Sequence, residues 1–257
     1  MIALEARGLR KCYTSVPAVS DVSFCLNAGE VLGCLGPNGS GKSTTVKMLT
    51  GLLEPTHGQV LCNGVDVHRN LVDYRKSLGY VPEEPELYPF LSGWEYLELV
   101  GILRGLEMRR LEKKIGAMLE LFSLAPHRHS AIGSYSKGMR QRILLISSLL
   151  DDPSLLIFDE PLSGLDVTSA MIVKNLIKTL GENGKAVFYC SHVLEVVEKV
   201  CSHVMILRKG KVIVHAPTAE LQGMASQPSL EHAFVQLIED RDSAQTARDI
   251  VEVMSAA

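Results

Sequence analysis

The fold is decided by the stretch Val31-Leu32-Gly33-Cys34-Leu35-Gly36-Pro37-Asn38-Gly39-Ser40-Gly41-Lys42-Ser43-Thr44. Residues 31–35 form a continuous apolar run, the pattern of a central strand covered on both faces. Gly36 to Thr44 then fits GxxxxGK[ST], and a helical stretch, Thr44–Leu49, comes next. Strand, glycine-rich turn and helix in this order make a cradle for phosphate. The glycines let backbone N–H groups turn inward around an anion. Lys42 brings a point charge to the β and γ phosphates, and Ser43 offers a hydroxyl to Mg²⁺. Gly36, Pro37, Asn38, Gly39, Ser40, Gly41, Lys42, Ser43 and Thr44 are therefore the candidate nucleotide-binding residues.

Upstream of this loop, Val22, Phe24 and Leu26 alternate with polar or small residues as in a half-buried strand, and Asn27-Ala28-Gly29 makes a turn. Downstream, Gln59–Cys62 between Gly58 and Asn63-Gly64 reads as another strand. From about Tyr88 to Leu150 the period becomes helical. Trp94, Leu97, Val100 and Ile102/Leu103 fit one helix. Leu111, Ile115, Met118, Leu119 and Phe122 fit a second, and Met139–Leu150 a third. Alternation of strand and helix then resumes. Leu155–Phe158 is a strand, Val167–Leu180 a helix stopped by Gly181 and Gly184, and Ala186–Cys190 a strand. Val193–Val200 is a helix, Val204–Leu207 a strand, and Lys209-Gly210 turns into a hairpin arm at Lys211–His215. The pattern predicts an α/β fold: a mostly parallel sheet, an N-terminal antiparallel β portion, and a helical lobe, about 88–150, inserted in the core.

A second chemical signal is Leu155-Leu-Ile-Phe-Asp159-Glu160, a hydrophobic strand ending in two carboxylates. After a phosphate-cradling loop, Asp159 is placed to hold Mg²⁺ through its shell, because a hard cation prefers oxygen ligands. Glu160, one residue on, is placed to orient or deprotonate an attacking water.

These and three further segments carry a resemblance to the nucleotide-binding subunits of ATP-binding-cassette (ABC) transporters. Tyr135-Ser136-Lys137-Gly138-Met139, followed by Arg140-Gln141-Arg142, resembles the family's signature segment. Ser163-Gly164-Leu165-Asp166 resembles its D-loop, and Ser191-His192 its switch histidine. Tyr13 matches the aromatic on which adenine stacks. The motifs run from Tyr13 to His192 in family order. The resemblance implies a P-loop NTPase core, ATP and Mg²⁺ as cofactors, and ATP hydrolysis coupled to transport. It implies Glu160 and His192 as catalytic residues, and Ser43, Glu83 and Asp159 toward the metal. Ser136, Gly138 and Asp166 are to face the ATP held by a second nucleotide-binding subunit, with a homodimer expected. YSKGMRQR is similar to the form found in type-2 exporters. The helical lobe is expected to contact a cytoplasmic helix of a membrane-embedded permease. An ATPase domain is expected over 1–220 and a helical tail over 221–257, with Ser229–Phe234 as a short closing helix. One departure stands out. The family normally carries Gln at the hinge between core and lobe, where this chain has Glu83, which keeps the oxygen ligand and adds a negative charge. Tyr135 in place of Leu is expected to change packing and not phosphate contact.

Composition narrows the alternatives. Lys+Arg is 26 and Asp+Glu 29, a net charge of −3, which argues against a nucleic-acid-binding surface. A soluble cassette ATPase acting on a ribosomal or nucleic-acid partner is the alternative reading; the chain carries neither a second cassette nor a basic stripe. An ATP sensor without turnover is disfavoured by Glu160 and His192, and a P-loop kinase gives no reason for Ser136–Met139. Hydrophobic content of 46% against 21% charged excludes a mostly disordered chain. The six cysteines show no metal spacing and read as buried free thiols. The longest apolar stretch, Ile143–Leu150, falls far short of the about 20 residues of a spanning helix. The N-terminus, with Glu5, does not read as a signal peptide. The expected location is cytoplasmic, peripheral at the inner face of the membrane through the permease.

Overall fold

The computed structural model describes residues 1–224, together with Arg248 and Met254. Its elements, in chain order, begin with β1 (Ile2–Cys12), β2 (Pro17–Asn27), β3 (Val31–Leu35), α1 (Lys42–Leu49), β4 (His57–Cys62) and β5 (Val65–Asp66). Next come α2 (Leu71–Ser77), β6 (Leu78–Val81), α3 (Gly93–Leu103), α4 (Met108–Leu121), α5 (Lys137–Leu149) and β7 (Leu155–Asp159). The described part closes with α6 (Val167–Glu182), β8 (Ala186–Cys190), α7 (Leu194–Val200), β9 (His203–Arg208), β10 (Lys211–Pro217) and α8 (Thr218–Met224). The expected tail is seen only as far as Met224, apart from the two isolated residues; Ser229–Phe234 lies outside the described residues.

The strands form one sheet in the order β5-β4-β1-β2-β10-β9-β3-β8-β7-β6. Its core, β9-β3-β8-β7-β6, is parallel throughout. The N-terminal flank, β2-β1-β4-β5, is antiparallel. Every residue of β3, β7 and β8 is buried, as their unbroken apolar runs require of strands covered on both faces. On one face, Val46, Met48 and Leu49 of α1 and Tyr74 of α2 pack with Phe24, Leu32, Ile157 and Phe188. On the other, Val173 and Ile177 of α6 and Val196 and Val197 of α7 pack with Leu35, Phe158, Val187 and Tyr189.

The inserted helices have a core of their own. Leu97 of α3, Leu111, Ile115 and Leu119 of α4, and Ile143, Ile146 and Leu150 at α5 form one cluster. Helix α5 also sends Leu144, Leu145 and Leu149 into the sheet-side core, so its apolar residues face both clusters and it joins lobe to sheet. Its partner α3 starts on a capping box: Ser92 Oγ accepts from Glu95 N at 3.2 Å, and Glu95 Oε2 accepts from Ser92 N at 2.8 Å.

Two expectations are corrected. Helix α6 does not stop at Gly181 but runs through it to Glu182. A Cβ at Gly181 would fall 2.7 Å from Val31 Cγ2, so this glycine lets the helix lie against β3, and the chain leaves the helix only at Asn183 and Gly184. Nor are all the cysteines buried: Cys34, Cys190 and Cys201 are, whereas Cys12, Cys25 and Cys62 are part exposed; all six are free thiols. β1, β5, β6 and α2 come in addition to the elements that the sequence pattern predicts. Among the described residues no helix is long and apolar enough to cross a membrane.

Candidate functional site

Three adjacent strands, β3, β8 and β7, end side by side, with Cys34 in register with Cys190 and Cys190 with Asp159. Beyond these ends lie the 36–44 loop, Ser191-His192 and Glu160. This is the carboxyl edge of a parallel sheet, where open α/β folds bind ligands.

The loop runs directly into α1. Gly41 stands at the N-cap and no side chain caps the helix, so the N–H groups of its first turn keep no side-chain partner. The helix dipole adds positive potential at that end. Lys42 Nζ donates to the carbonyls of Gly36 at 2.6 Å and Pro37 at 3.1 Å, curling over the loop. Ser40 is buried and its Oγ has no partner. An open cavity of about 210 Å³ lies over the loop, lined by Asn38, Gly39, Gly41, Lys42, Ser43 and Thr44 and walled by Ala18 of β2. Pro37, Asn38, Gly39 and Ser43 are exposed.

Asp159 is only 5% exposed at the end of β7. Burial raises its pKa to about 6; the negative charges of Glu83 and Glu160 add to this, while a hydrogen bond from Cys190 and the charge of Lys42 oppose it. Glu160 follows with φ +48°, a conformation that L-residues adopt at a cost. Its backbone N–H donates to Cys190 O at 2.9 Å, which fixes the turn against β8. Its carboxylate accepts from the His192 N–H at 2.8 Å and from Ser191 Oγ at 3.2 Å, and Oε1 lies 2.6 Å from His192 Nδ1. An ionised carboxylate can only accept, so Nδ1 is the protonated nitrogen in this pair. The Glu160 side chain is 14% exposed and the His192 ring 70%.

Glu83 is exposed on the extended segment after β6, close enough for its charge to be felt at Asp159 and Tyr80. Tyr13 is exposed between β1 and β2, with Lys11 Nζ 5.8 Å from its ring centre. Lys11 Nζ also donates to Glu54 O at 2.7 Å, tying this turn to the segment after α1.

Ser136, Gly138 and Asp166 sit elsewhere, on the face formed by the starts of α5 and α6. Ser136 is the N-cap of α5, and its Oγ accepts from Met139 N at 3.2 Å; the residue is exposed. Asp166 caps α6, accepting from Ser169 N at 2.9 Å and Ser169 Oγ at 2.7 Å, and the first of these bonds heads the causes that hold its carboxyl below the usual range. None of these bonds reaches the 36–44 loop. Tyr135 is buried, and its hydroxyl donates to His127 O at 2.6 Å, a packing role as expected.

The structure adds participants that sequence reasoning did not single out. Ser191 Oγ and Cys190 join the Glu160 and Asp159 surroundings, Ala18 walls the cavity, and Gln141 bonds the segment after Glu160. Of these, Ser191 and Gln141 carried a signal, the one in its place beside His192 and the other inside YSKGMRQR. A second open cavity, about 310 Å³, lies between the lobe and the core; Tyr80, Pro82 and Glu86 border it on one side and Tyr96, Val100 and Leu144 on the other.

Comparison with known proteins agrees with this geometry. The sequence profile of the family described as "ABC transporter" matches residues 19–163. The "Uncharacterized ABC transporter ATP-binding protein YxlF" of Bacillus subtilis (strain 168) is 40% identical over 222 residues, 86% of this chain and 72% of that protein. The "Linearmycin resistance ATP-binding protein LnrL" of the same organism is 35% identical over 218 residues, 85% of this chain and 70% of that protein. A solved structure titled "Structure of ATP binding subunit of ABC transporter" superposes with a TM-score of 0.86 at 31% identity, covering 91% of this chain and 99% of that one. The profile spans more than half of the sequence and the relatives extend along most of both partners: the chain belongs to the ABC transporter family and is one of its ATPase subunits.

Proposed function

We propose that this subunit powers an exporter of the type-2 kind by binding ATP between two copies of itself. The observation that carries the reading is the convergence of the Lys42 loop, Asp159, Glu160 and His192 at the ends of three neighbouring strands. Residues 1–220 are the ATPase domain, the lobe of about 88–150 is its moving part, and 221–257 is a tail.

The 36–44 loop binds the triphosphate. Its uncapped helix start supplies N–H donors, and Lys42 exchanges the Gly36 and Pro37 carbonyls for phosphate oxygens. Tyr13 gives the adenine a stacking face. The donor set fits Mg²⁺: an exposed Ser43 hydroxyl, the buried Asp159 carboxylate and the nearby Glu83 are oxygen ligands, and Asp159 carries a charge that burial leaves poorly compensated. Bound there, Mg²⁺ would neutralise charge on the outer phosphates. Glu160 takes a proton from the attacking water. His192 Nδ1–H holds Glu160 in place, leaving Nε2 to accept from the attacking water. The protein's contribution is positioning and charge stabilisation.

The other half of the site comes from a second copy. Ser136, Gly138 and Asp166 are presented at exposed helix starts, and such starts favour anions. Two chains docked head to tail therefore enclose two nucleotides. ATP holds the pair together, and hydrolysis opens it. The cavity between lobe and core receives a cytoplasmic helix of the permease, which places the subunit at the inner face of the membrane. LnrL, a resistance protein by name, supports the exporter assignment, as does the YSKGMRQR form.

Sedimentation of the Glu160→Gln chain tests this reading. With MgATP it should run at twice the monomer mass of 28.1 kDa, and adding Lys42→Ala should abolish the shift. A Glu160→Gln chain that stays monomeric at saturating MgATP would sink the dimer reading.

A further inference from the structure

Gln141 is 0% exposed, yet one end of its amide finds no partner. It lies one turn into α5. Its Nε2 donates to the carbonyl of Pro161 at 3.2 Å, while Oε1 remains without a hydrogen bond. A buried, unpaired carbonyl costs free energy that an apolar side chain of the same length would avoid. The one compensating feature is the directional bond to Pro161, the residue that follows Glu160.

A second contact joins the same two segments one turn earlier. A Cβ at Gly138 would fall 2.5 Å from Gly164 O, so the two backbones touch there. From the other side, a Cβ at Gly164, which has φ +74°, would meet the Lys137 stem at 2.9 Å. Between the contacts the chain is held in tight turns, with Ser163 N–H donating to Glu160 O at 3.0 Å and Leu165 N–H to Leu162 O at 3.2 Å. Residues 160–165 are thus clamped along the first two turns of α5.

We propose that Gln141 is a positioning residue that ties the Ser136–Gly138 tip, which faces a partner's nucleotide, to Pro161 and so to the chain's own Glu160. This rests on the dimer reading above. Within one chain, the tip and Glu160 belong to two different nucleotide sites, so a rigid tether between them makes occupancy of one site set the geometry of the other. The coupling is a free energy between sites and shows as cooperativity.

The test compares full-length wild type with Gln141→Met, which keeps length and loses the donor. Gly164→Ala disturbs the seam from the opposite side, away from the interior of α5. Steady-state ATPase rates against ATP concentration give the Hill coefficient. ATP affinity is measured separately by titration at protein concentrations where the chains are monomeric. The wild type should show a Hill coefficient near 2, and both variants should fall toward about 1 while monomer ATP affinity stays within about twofold. A wild-type value near 2 that both variants retain overturns this inference alone. If Gln141→Met does not fold, Gly164→Ala decides in the same way. A wild type that neither dimerises with ATP nor shows cooperativity overturns the dimer reading and this inference with it.

Discussion

Oε1 of Glu160 lies 2.6 Å from Nδ1 of His192, a contact that joins the segments just past the paired ends of β7 and β8. Two further donors, the His192 N–H and Ser191 Oγ, converge on the same carboxylate. The side chain is therefore held in one orientation before any substrate enters, which is what a base needs if it is to meet a water at a fixed place. The two residues then act as a unit, and their contributions will not add. Glu160→Gln should lower kcat by about 10²–10⁴ and leave ATP binding intact. His192→Ala should lower kcat by about 10² or more. The double variant should be no worse than the poorer single by more than a few-fold; a loss equal to the product of the two would mean that they work independently.

Lys42 is the cation of the loop, and its present partners are two carbonyls of the loop itself. ATP stabilises the folded chain through mass action, by about 2.7 kcal/mol at a hundredfold excess over Kd. For a chain of this size that is a rise of roughly 5–10 °C in Tm. Lys42→Ala should abolish the rise while leaving the nucleotide-free Tm within a degree or two, because the side chain packs no core. Differential scanning fluorimetry with and without MgATP reads both.

Much of this was legible in the sequence, and the reason is locality. The strands 31–35, 155–159 and 186–190 announce themselves because central strands of a parallel sheet are apolar on both faces. The 36–44 loop is legible because its chemistry lies within nine consecutive residues. β1 is hard to read because a bulge at Gly8 moves its buried face from Leu4 and Ala6 to Leu9, which breaks the alternation, and pairing on both sides, with β2 and β4, overrides that weak pattern. α2 and β6, seven and four residues long, are too short for a period to stand out. The contact between Glu160 and His192 depends on β8 lying next to β7, which only topology decides. Gln141 and Pro161 are likewise joined by packing, and nothing local to either residue signals it.

Asp159 gives a pH signature. Its carboxyl titrates near 6 in the folded chain, against an ordinary value of 3.8. A raised acid pKa means that the ionised group destabilises the fold. The penalty is small below pH 4, grows as pH rises toward 6, and is constant above. From the two values it is on the order of 3 kcal/mol at pH 8 and about half that at pH 5. Without nucleotide or divalent cation, Asp159→Asn should therefore stabilise the protein more at pH 8 than at pH 5, in urea melts at both pH values. Equal gains would refute this linkage. Glu83 contributes to the same field, so Glu83→Gln should raise the Mg²⁺ concentration needed for half-maximal ATP binding by about three- to tenfold. An unchanged Mg²⁺ requirement would leave its charge without a special role.

Arg104 is the clasp between lobe and core. It follows the last turn of α3, and its Nη1 lies 2.6 Å from both carboxylate oxygens of Asp151, which follows α5. Nη2 donates to Leu78 O at 3.1 Å, at the start of β6. The two side chains are only 16% and 13% exposed, so solvent screens the pair weakly, and removing one partner leaves the other charge stranded. Arg104→Met should cost about 2–3 kcal/mol in urea unfolding, toward the lower end for a buried pair because some solvent still reaches it. Arg104→Met with Asp151→Leu should recover part of that loss, since no charge is then left unpaired. Because Arg104 also borders the cavity between lobe and core, the double variant separates two effects that the single one mixes. Restored stability with persistently poor permease-stimulated turnover would locate the remaining defect in how the lobe is held against its partner, whereas full recovery of both would make the pair purely a matter of fold.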